Sequence, residues 1–276
     1  QAVGNLQDTN GNSDNYQYYF GVPHSHTSFS DAGGSSVPKQ AYEYGKKKGL
    51  DFLFVTDHSN LLDGKDFGEY NSDTNEFVEK EGSEWQKTGQ QAEENRQSNY
   101  FAGRGFEMTS SAANGGENYG HINVYNTDTY VEAASTMKEL SAFYQWLDNQ
   151  DGAIAMFNHP NRPQSSFEYL KYQKDLDDKI QLIEVGNGSL NSNYLDTTDY
   201  YFKALDYGWH LAPVNSQENH AANWGDADNL TAIIAESPTE EDIYDAMRSR
   251  RVYSTQTRNL KLEVYANGQI MGSELN

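Results

Sequence analysis

Short apolar runs that each end beside a histidine or an acid are the feature that most constrains how this chain can fold. Residues 50–56 form a mostly apolar run, which ends in Asp57 and His58. Such a run is typical of a strand that is covered on both faces, as in a parallel sheet. Strand-like runs alternate with helical patterns along the chain, and this alternation favours parallel βα units. The sequence therefore predicts an α/β fold.

Two histidines follow the first apolar run, which spans residues 16–22. In an extended segment alternate side chains share one face, so His24 and His26 can point at one ion. Asp31 follows five residues later. Imidazole and carboxylate groups are natural ligands of zinc, manganese and iron. The segment predicts a metal site, although two polar residues in a loop would also account for a His-x-His pair.

Six of the seven histidines lie at or near an end of an apolar run, and several have an acid nearby. In a parallel barrel the carboxyl ends of the strands converge at one mouth, where active sites lie. The seventh, His210, precedes its strand and is predicted to be structural. The candidate ligands are His24, His26, Asp31, His58, Glu107, His121, His159, Glu218 and His220.

This set of ligands is too large for one tetrahedral ion, so we expect two to three divalent metal ions, zinc, manganese or iron. A carboxylate can bridge neighbouring ions, whereas a neutral imidazole cannot. Glu107 is the candidate bridge. Divalent ions would also offset the mutual repulsion of the clustered carboxylates.

Composition excludes several other functions. The net charge of −21 repels polyanions and anionic membranes, so nonspecific nucleic-acid binding is not expected. The absence of cysteine excludes disulfides and thiolate ligands. No apolar run approaches the roughly 20 residues of a membrane span. The many tyrosines and asparagines lean toward an extracellular, secreted protein, with a cytoplasmic one as the alternative.

The barrel is predicted at residues 16–258. A leader is predicted before it, a tail after it, and a surface excursion within it at residues 60–98. Residues 1–15 are rich in Asn, Asp and Gly and predict a loose leader. Residues 60–98, with a helix predicted at 76–96, are interpreted as a surface helix or as a lid over the mouth. Residues 259–276 alternate polar and apolar side chains around an Asn-Gly pair, which indicates a β hairpin. This tail either packs as an edge or begins a further C-terminal β domain.

The ordered motifs resemble those of a known family. They are His24-x-His26, Thr56-Asp57-His58, Gly105-x-Glu107, Gly120-His121, His159-Pro160 and Glu218-x-His220. In this order they are similar to the PHP family, named after polymerase and histidinol phosphatase, and closest to its CehA/McbA-like metallohydrolase branch. The resemblance spans residues 18–255. It implies a distorted (β/α)7 TIM-like barrel with a trinuclear metal site at the carboxyl ends of the strands.

The resemblance also implies how the ligands divide among three ions. The implied sets are His24, His26, Glu107 and Glu218 for the first ion, Glu107, His121 and His159 for the second, and Asp31, His58 and His220 for the third. Asp57 would orient a ligand or protonate a leaving group. The family usually has Asp-x-His where this chain has Glu218-x-His220. The longer side chain shifts the carboxylate by about one methylene and alters the geometry of the first ion.

Metal-dependent hydrolysis of a phosphomonoester or phosphodiester is the function that these features favour, with a small anionic or ester substrate. A bound divalent ion lowers the pKa of its water toward about 7 and so supplies hydroxide at neutral pH. Arg162 follows His159 by three residues and offers a bidentate guanidinium to phosphoryl oxygens, although a surface arginine is an equal alternative.

Two alternatives remain open at this stage. The same metals could hydrolyse a carbamate or carboxylic ester. The chain could instead be a non-catalytic, metal-dependent binding module of a multidomain protein.

Overall fold

A computed structural model describes residues 15–34, 36–62, 68–71, 76–79, 83–114, 116–134 and 136–275. The strands are β1 (Gln17–Val22), β2 (Phe52–Val55), β3 (Gly68–Asn71), β4 (Glu76–Glu79), β5 (Phe101–Thr109), β6 (His121–Tyr125), β7 (Ile154–Asn158), β8 (Ile180–Asn187), β9 (Leu195–Asp196), β10 (Ala212–Ser216), β11 (Leu230–Ala235), β12 (Val252–Thr255), β13 (Tyr265–Ala266) and β14 (Gln269–Ile270). The helices of nine or more residues are α1 (Pro38–Lys47), α2 (Glu84–Asn95), α3 (Leu140–Asp148), α4 (Thr198–Asp206) and α5 (Glu240–Arg248). The predicted leader lies outside the described residues except for its last position.

One curled sheet organises the fold, in the strand order β10-β8-β7-β6-β5-β2-β1-β11-β12, with β9 on β8. β1, β2 and β5 run parallel, as do β7, β8 and β10. β6 is antiparallel to both of its neighbours, and β11 is antiparallel to β1 and β12. The predicted α/β class is therefore confirmed, and β6 and β11 are the strands of this sheet order that depart from the predicted parallel βα pattern. The count of seven βα units stays a prediction.

β1 and β10 are far apart in the strand order, but the chain segments that follow them approach each other. Ser25, beyond β1, forms a parallel bridge with Asn219, beyond β10. The backbone N–H of His26 donates to the carbonyl of Asn219 over 3.0 Å. The sheet therefore curls until the chain segments after β1 and β10 lie side by side.

The apolar strands form the core because their side chains are covered on both faces. All of Phe52–Val55 is buried. The first helix, α1, ends with Lys46 and Lys47 in its last turn and Gly49 at a φ of +79°. Its N-cap is Val37, whose N–H donates to the side-chain oxygen of Gln40.

The stretch predicted as one long helix is divided. Residues 76–79 form β4, which pairs with β3, so the helix is limited to α2. α2 packs on α1 and β5, and the side chain of Gln91 accepts a hydrogen bond from the backbone of Lys39. These contacts fit the surface-helix interpretation. Residues 63–67, 72–75 and 80–82 lie outside the described residues, so a lid in this stretch stays a prediction.

The tail contains a short β hairpin. β13 and β14 pair antiparallel around Asn267 and Gly268, whose φ values are +52° and +77°. Both residues are left-handed, as a two-residue type I′ turn requires. Ile270 of this hairpin is buried in the same apolar cluster as Phe20 of β1. In the part of the chain that is described, no helix has the length and apolar character that crossing a membrane demands.

Candidate metal centre

All nine predicted ligand residues lie at one end of the curled sheet. Their ligand atoms fall into four overlapping groups, within each of which all atoms lie within 4.8 Å of one another. The groups are His26, Asp31, His58 and His220; His24, His26 and Glu107; His58, Glu107 and His121; and Glu107, His159 and Glu218. The structure therefore brings the predicted residues together, while their role as metal ligands stays a prediction.

Strand direction explains this convergence. His24, His58 and His159 lie two, three and one residues beyond the ends of β1, β2 and β7 respectively. His121 differs, because it is the first residue of β6. Since β6 is antiparallel to its neighbours, its start lies at the same end of the sheet, and His121 pairs across the sheet with Asn158, the last residue of β7.

Two residues of the centre have a left-handed backbone. The φ values are +26° for His159 and +45° for Glu218. Such conformations cost free energy in residues other than glycine and are often found at functional sites. Glu218 is held there partly because its backbone N–H donates to the carbonyl of His24 over 3.1 Å.

Glu107 lies at the middle of the centre, and its side chain is fully buried. The amide of Asn158 donates to its Oε1 over 2.9 Å. Five histidine nitrogens lie within 3.5 Å of its two carboxylate oxygens, and they belong to His24, His26, His58, His121 and His159. Glu107 is also a member of three of the four ligand groups. This position suits a carboxylate that bridges ions.

The charges of these groups are strongly coupled. Burial raises the pKa of Glu107, but the surrounding histidines, led by His58, outweigh burial and hold the pKa well below its ordinary value. Burial lowers the pKa of His58, yet Glu107 and Asp31 raise it to about 10. The pKa of His26 is instead lowered by burial and by its neighbour His58, so this imidazole is kept neutral.

Several buried atoms lack the partners that a folded protein normally supplies. Glu107 Oε2, His26 Nδ1 and His159 Nδ1 have no hydrogen-bond partner among the described residues. Glu107 Oε2 does lie 2.6 Å from His58 Nδ1, but without the geometry of a hydrogen bond. Imidazole and carboxylate are the donors that zinc, manganese and iron prefer. The residues present therefore fit divalent metal ions.

The floor of the centre is formed by His24, His26 and Glu107, which are fully buried. Its rim is formed by Asp31 and His220 and is open to solvent. The side chains of Asp31 and His220 are 40% and 37% exposed, and Asp31 Oδ1 lies 3.3 Å from His220 Nε2. The backbone carbonyl of Glu218 accepts a hydrogen bond from His220 Nδ1, which leaves Nε2 free to face Asp31. Burial raises the pKa of Asp31, but His220 and His58 more than compensate and lower it. This side of the centre is therefore accessible from solvent.

Asp57 touches the loop that carries Asp31 and belongs to none of the four ligand groups. It accepts hydrogen bonds from the backbone and hydroxyl of Thr27 and from the hydroxyl of Ser30. Burial raises the pKa of Asp57. Its contacts show that it orients this loop, while proton transfer to a leaving group stays a prediction.

Arg162 lies next to the centre along the chain. Its backbone N–H donates to the carbonyl of His159 over 3.0 Å, and its side chain is exposed. Within the described ranges its guanidinium has no hydrogen-bond or ion-pair partner, so it remains available to a ligand. A role in binding phosphate stays a prediction.

Glu184 was not among the residues predicted to form the centre. This residue is fully buried in β8, and its carboxylate lies 2.7 Å from His24 Nδ1. The available signal was one acid inside a mostly apolar strand, at residues 180–185. Burial raises the pKa of Glu184, but His24 outweighs this effect and lowers it.

The observed groups also differ from the ion-by-ion sets that the resemblance implies. Glu218 groups with Glu107 and His159 rather than with His24. His26 can reach the group that contains Asp31 as well as the group that contains His24. Glu218 is also the residue at which this chain departs from the Asp-x-His motif of the family that it resembles.

Comparison with known proteins gives a likeness of fold. No protein-family model matches the chain, and no curated protein matches it. Among solved structures, a two-domain protein from Bacteroides vulgatus, described as containing a predicted PHP-like metal-dependent phosphoesterase, matches with a TM-score of 0.59 and 21% sequence identity. The two proteins share a fold. The match covers 88% of this chain and 66% of the other, so this chain spans slightly less than two thirds of that protein.

Proposed function

We propose that this protein is a PHP-type, CehA/McbA-like metal-dependent hydrolase that cleaves a phosphomonoester or phosphodiester at a site for two to three divalent ions. The observation that carries the proposal is the position of Glu107, a fully buried carboxylate with five histidine nitrogens within 3.5 Å of its oxygens. The description of the structural neighbour as a predicted PHP-like metal-dependent phosphoesterase supports it. The proposed fold is accordingly the distorted (β/α)7 barrel of that family.

Residues at the buried floor and residues at the open rim would hold different ions. Bound ions would supply Lewis-acid polarisation of the phosphoryl group and the attacking hydroxide. Glu107 would bridge ions on the buried floor, where the exclusion of water strengthens electrostatic interactions. His24 and His26 would hold one ion there, and Asp31 with His220 would hold another at the open rim.

The substrate would be a small anionic ester. A phosphoryl group presents negatively charged oxygens, and the carboxylates of the centre would repel it unless divalent ions had neutralised them. Arg162 would bind those oxygens through a bidentate pair of N–H donors. Export from the cytoplasm and a further C-terminal domain are predictions from the sequence that accompany this proposal.

One experiment tests the function directly. The protein is purified, its metal content per chain is measured, and hydrolysis of a phosphomonoester, a phosphodiester, a carboxylic ester and a carbamate is compared with and without a chelator. We expect bound divalent metal and phosphoester turnover that the chelator abolishes and that added manganese or zinc restores. Turnover confined to the carboxylic ester or carbamate would replace the phosphoesterase assignment. Bound metal without any turnover would favour a binding module.

A further inference from the structure

Glu184 makes an unusual set of contacts for a residue in the middle of a buried strand. Its Oε1 lies 2.7 Å from His24 Nδ1. Its Oε2 accepts hydrogen bonds from the backbone N–H of His159 over 2.7 Å and from the amide of Asn187 over 2.9 Å. One carboxylate on β8 thus joins the chain beyond β1 to the chain beyond β7.

Stability alone does not explain a carboxylate at this position. A charge that is taken out of water carries a desolvation cost, and well-packed apolar residues often stabilise a core as much as a buried ion pair does. The neighbouring side chains of β8 are themselves buried, and most are apolar. Glu184 is also outside all four ligand groups, and both of its oxygens already have partners. Its position points to an effect on the residues that it contacts.

The contact with His24 decides which ring nitrogen of that histidine is free. A carboxylate accepts hydrogen bonds but cannot donate them, so His24 must carry a proton on Nδ1. In the neutral ring the lone pair then lies on Nε2. This atom is 3.1 Å from His26 Nε2 and 3.5 Å from Glu107 Oε1, at the floor of the centre.

At the other histidines of the centre, Nδ1 meets a neutral group, Glu107 of the centre itself, or no described partner. His121 Nδ1 bonds Glu107 Oε1 over 3.1 Å, and His58 Nδ1 lies 2.6 Å from Glu107 Oε2. His58 Nδ1 lies 2.6 Å from the hydroxyl of Thr109, and His220 Nδ1 donates to a backbone carbonyl. His26 Nδ1 and His159 Nδ1 have no hydrogen-bond partner among the described residues. Among the described histidines of the four groups, only His24 therefore has an Nδ1 atom that bonds a carboxylate from outside those groups. Such a carboxylate fixes the tautomer of a ligand and makes it more basic.

We propose that Glu184 is a positioning residue that fixes the Nδ1–H tautomer of His24 and thereby sets the affinity for the ion of the group His24, His26 and Glu107. This inference rests on the proposed function, because it takes these three residues as metal ligands. It adds a residue that acts through a ligand without binding metal itself.

Replacement of the acid by its amide tests the inference sharply. In Glu184→Gln the single side-chain oxygen is needed by the N–H donors of His159 and Asn187, so the NH2 group would face His24 Nδ1. It would donate to that nitrogen and favour the opposite tautomer, whose Nε2–H cannot bind metal. We expect zinc affinity at one site to fall about 10- to 100-fold in a chelator-competition titration.

The matched control is Glu236→Gln, the same loss of charge at an exposed residue after β11, at the opposite end of the sheet. It should bind zinc as the unaltered protein does. A double variant then shows the route of the effect. If Glu184 acts through His24, then Glu184→Gln should have little further effect on zinc affinity in a His24→Ala background. An undiminished effect there would overturn the proposed route and indicate action through His159.

A second measurement needs no variant at Glu184. Nitrogen NMR of the imidazole rings in the zinc-loaded protein should show His24 protonated on Nδ1 and bound to zinc through Nε2. Zinc on Nδ1 would overturn the inference, as would equal zinc affinity in the Glu184→Gln variant. If the unaltered protein bound no zinc, manganese or iron, the proposed function itself would fail, so the two failures are distinguishable.

Discussion

Both carboxylate oxygens of Asp57 accept hydrogen bonds from the single residue Thr27, one from its backbone N–H over 2.7 Å and one from its hydroxyl over 2.6 Å. Thr27 begins the loop that leads to Asp31, and Ser30 in the same loop donates to Asp57 as well. The end of β2 thus holds the loop that follows β1. The rim of the centre therefore depends on a residue that belongs to none of the ligand groups.

We expect Asp57→Asn to weaken both the fold and the rim. An amide offers one acceptor oxygen in place of two, so one of the buried donors on Thr27 or Ser30 would lose its partner. The free energy of unfolding should fall by about 1–3 kcal/mol in urea denaturation of the metal-free protein. Metal affinity at the Asp31 group should fall too. Asp148→Asn, an exposed control, should stay within about 0.5 kcal/mol, and an equal value for Asp57→Asn would contradict the role given to Asp57.

Glu107→Gln should reduce the metal content by more than one ion per chain. The amide keeps the shape of the side chain and can still accept the hydrogen bond from Asn158. It removes the charge that lets one side chain bridge two cations. The metal content after dialysis, measured by elemental analysis, is the readout. Glu168→Gln removes a charge at an exposed position and should leave the content unchanged. Full metal content in Glu107→Gln would rule out a bridging role.

Much of the centre could be predicted because its residues lie near strand ends, and apolar runs in the sequence show where strands end. A buried parallel strand is read directly from an apolar run, and the residue that follows it reaches the mouth of the barrel. This reasoning placed His58 and His159 correctly with no knowledge of their partners. Alternate residues in an extended segment likewise placed His24 beside His26.

The parts that could not be predicted depend on contacts between distant residues. The direction of β6 is set by its pairing with β5 and β7, and the sequence of the strand itself does not indicate that direction. His121 therefore reached the centre from the start of a strand. Glu184 looked like an ordinary strand residue because its partner, His24, is 160 positions away. The N-cap of α1, Val37, has no side chain that could accept a hydrogen bond, and its own N–H donates to the side-chain oxygen of Gln40 instead.

The stability of the metal-free protein should fall as the pH rises above neutrality. Burial lowers the pKa values of four histidines, but nearby carboxylates outweigh burial and raise all four above their ordinary value of 6.5: His24, His58, His159 and His220. Groups whose folded pKa is raised stabilise the fold fully below the unfolded pKa and lose this contribution as the pH passes the folded pKa. That pKa is about 10 for His58. His26 acts in the opposite sense, because burial lowers its pKa.

Metal should reverse this dependence. Ligand imidazoles must be neutral to bind an ion, so metal affinity rises with pH as protons leave them. Thermal unfolding should therefore show a midpoint that falls between about pH 6.5 and about pH 9.5 with chelator and rises over the same window with zinc. Parallel curves with and without zinc would show that the histidines of the centre do not bind it.

Arg162→Ala should weaken the binding of a phosphoester without disturbing the metal centre. Because the Arg162 side chain is exposed and has no described partner, its loss should leave the unfolding midpoint and the metal content unchanged. Loss of a charge-assisted bidentate hydrogen bond should lower kcat/KM about 10- to 100-fold, which corresponds to about 1.5–3 kcal/mol. Lys47→Ala removes an exposed charge in the last turn of α1 and should not change kcat/KM. An unchanged kcat/KM in Arg162→Ala, measured by steady-state kinetics on the substrate that the panel identifies, would make Arg162 a surface residue and leave phosphate binding to the metal ions alone.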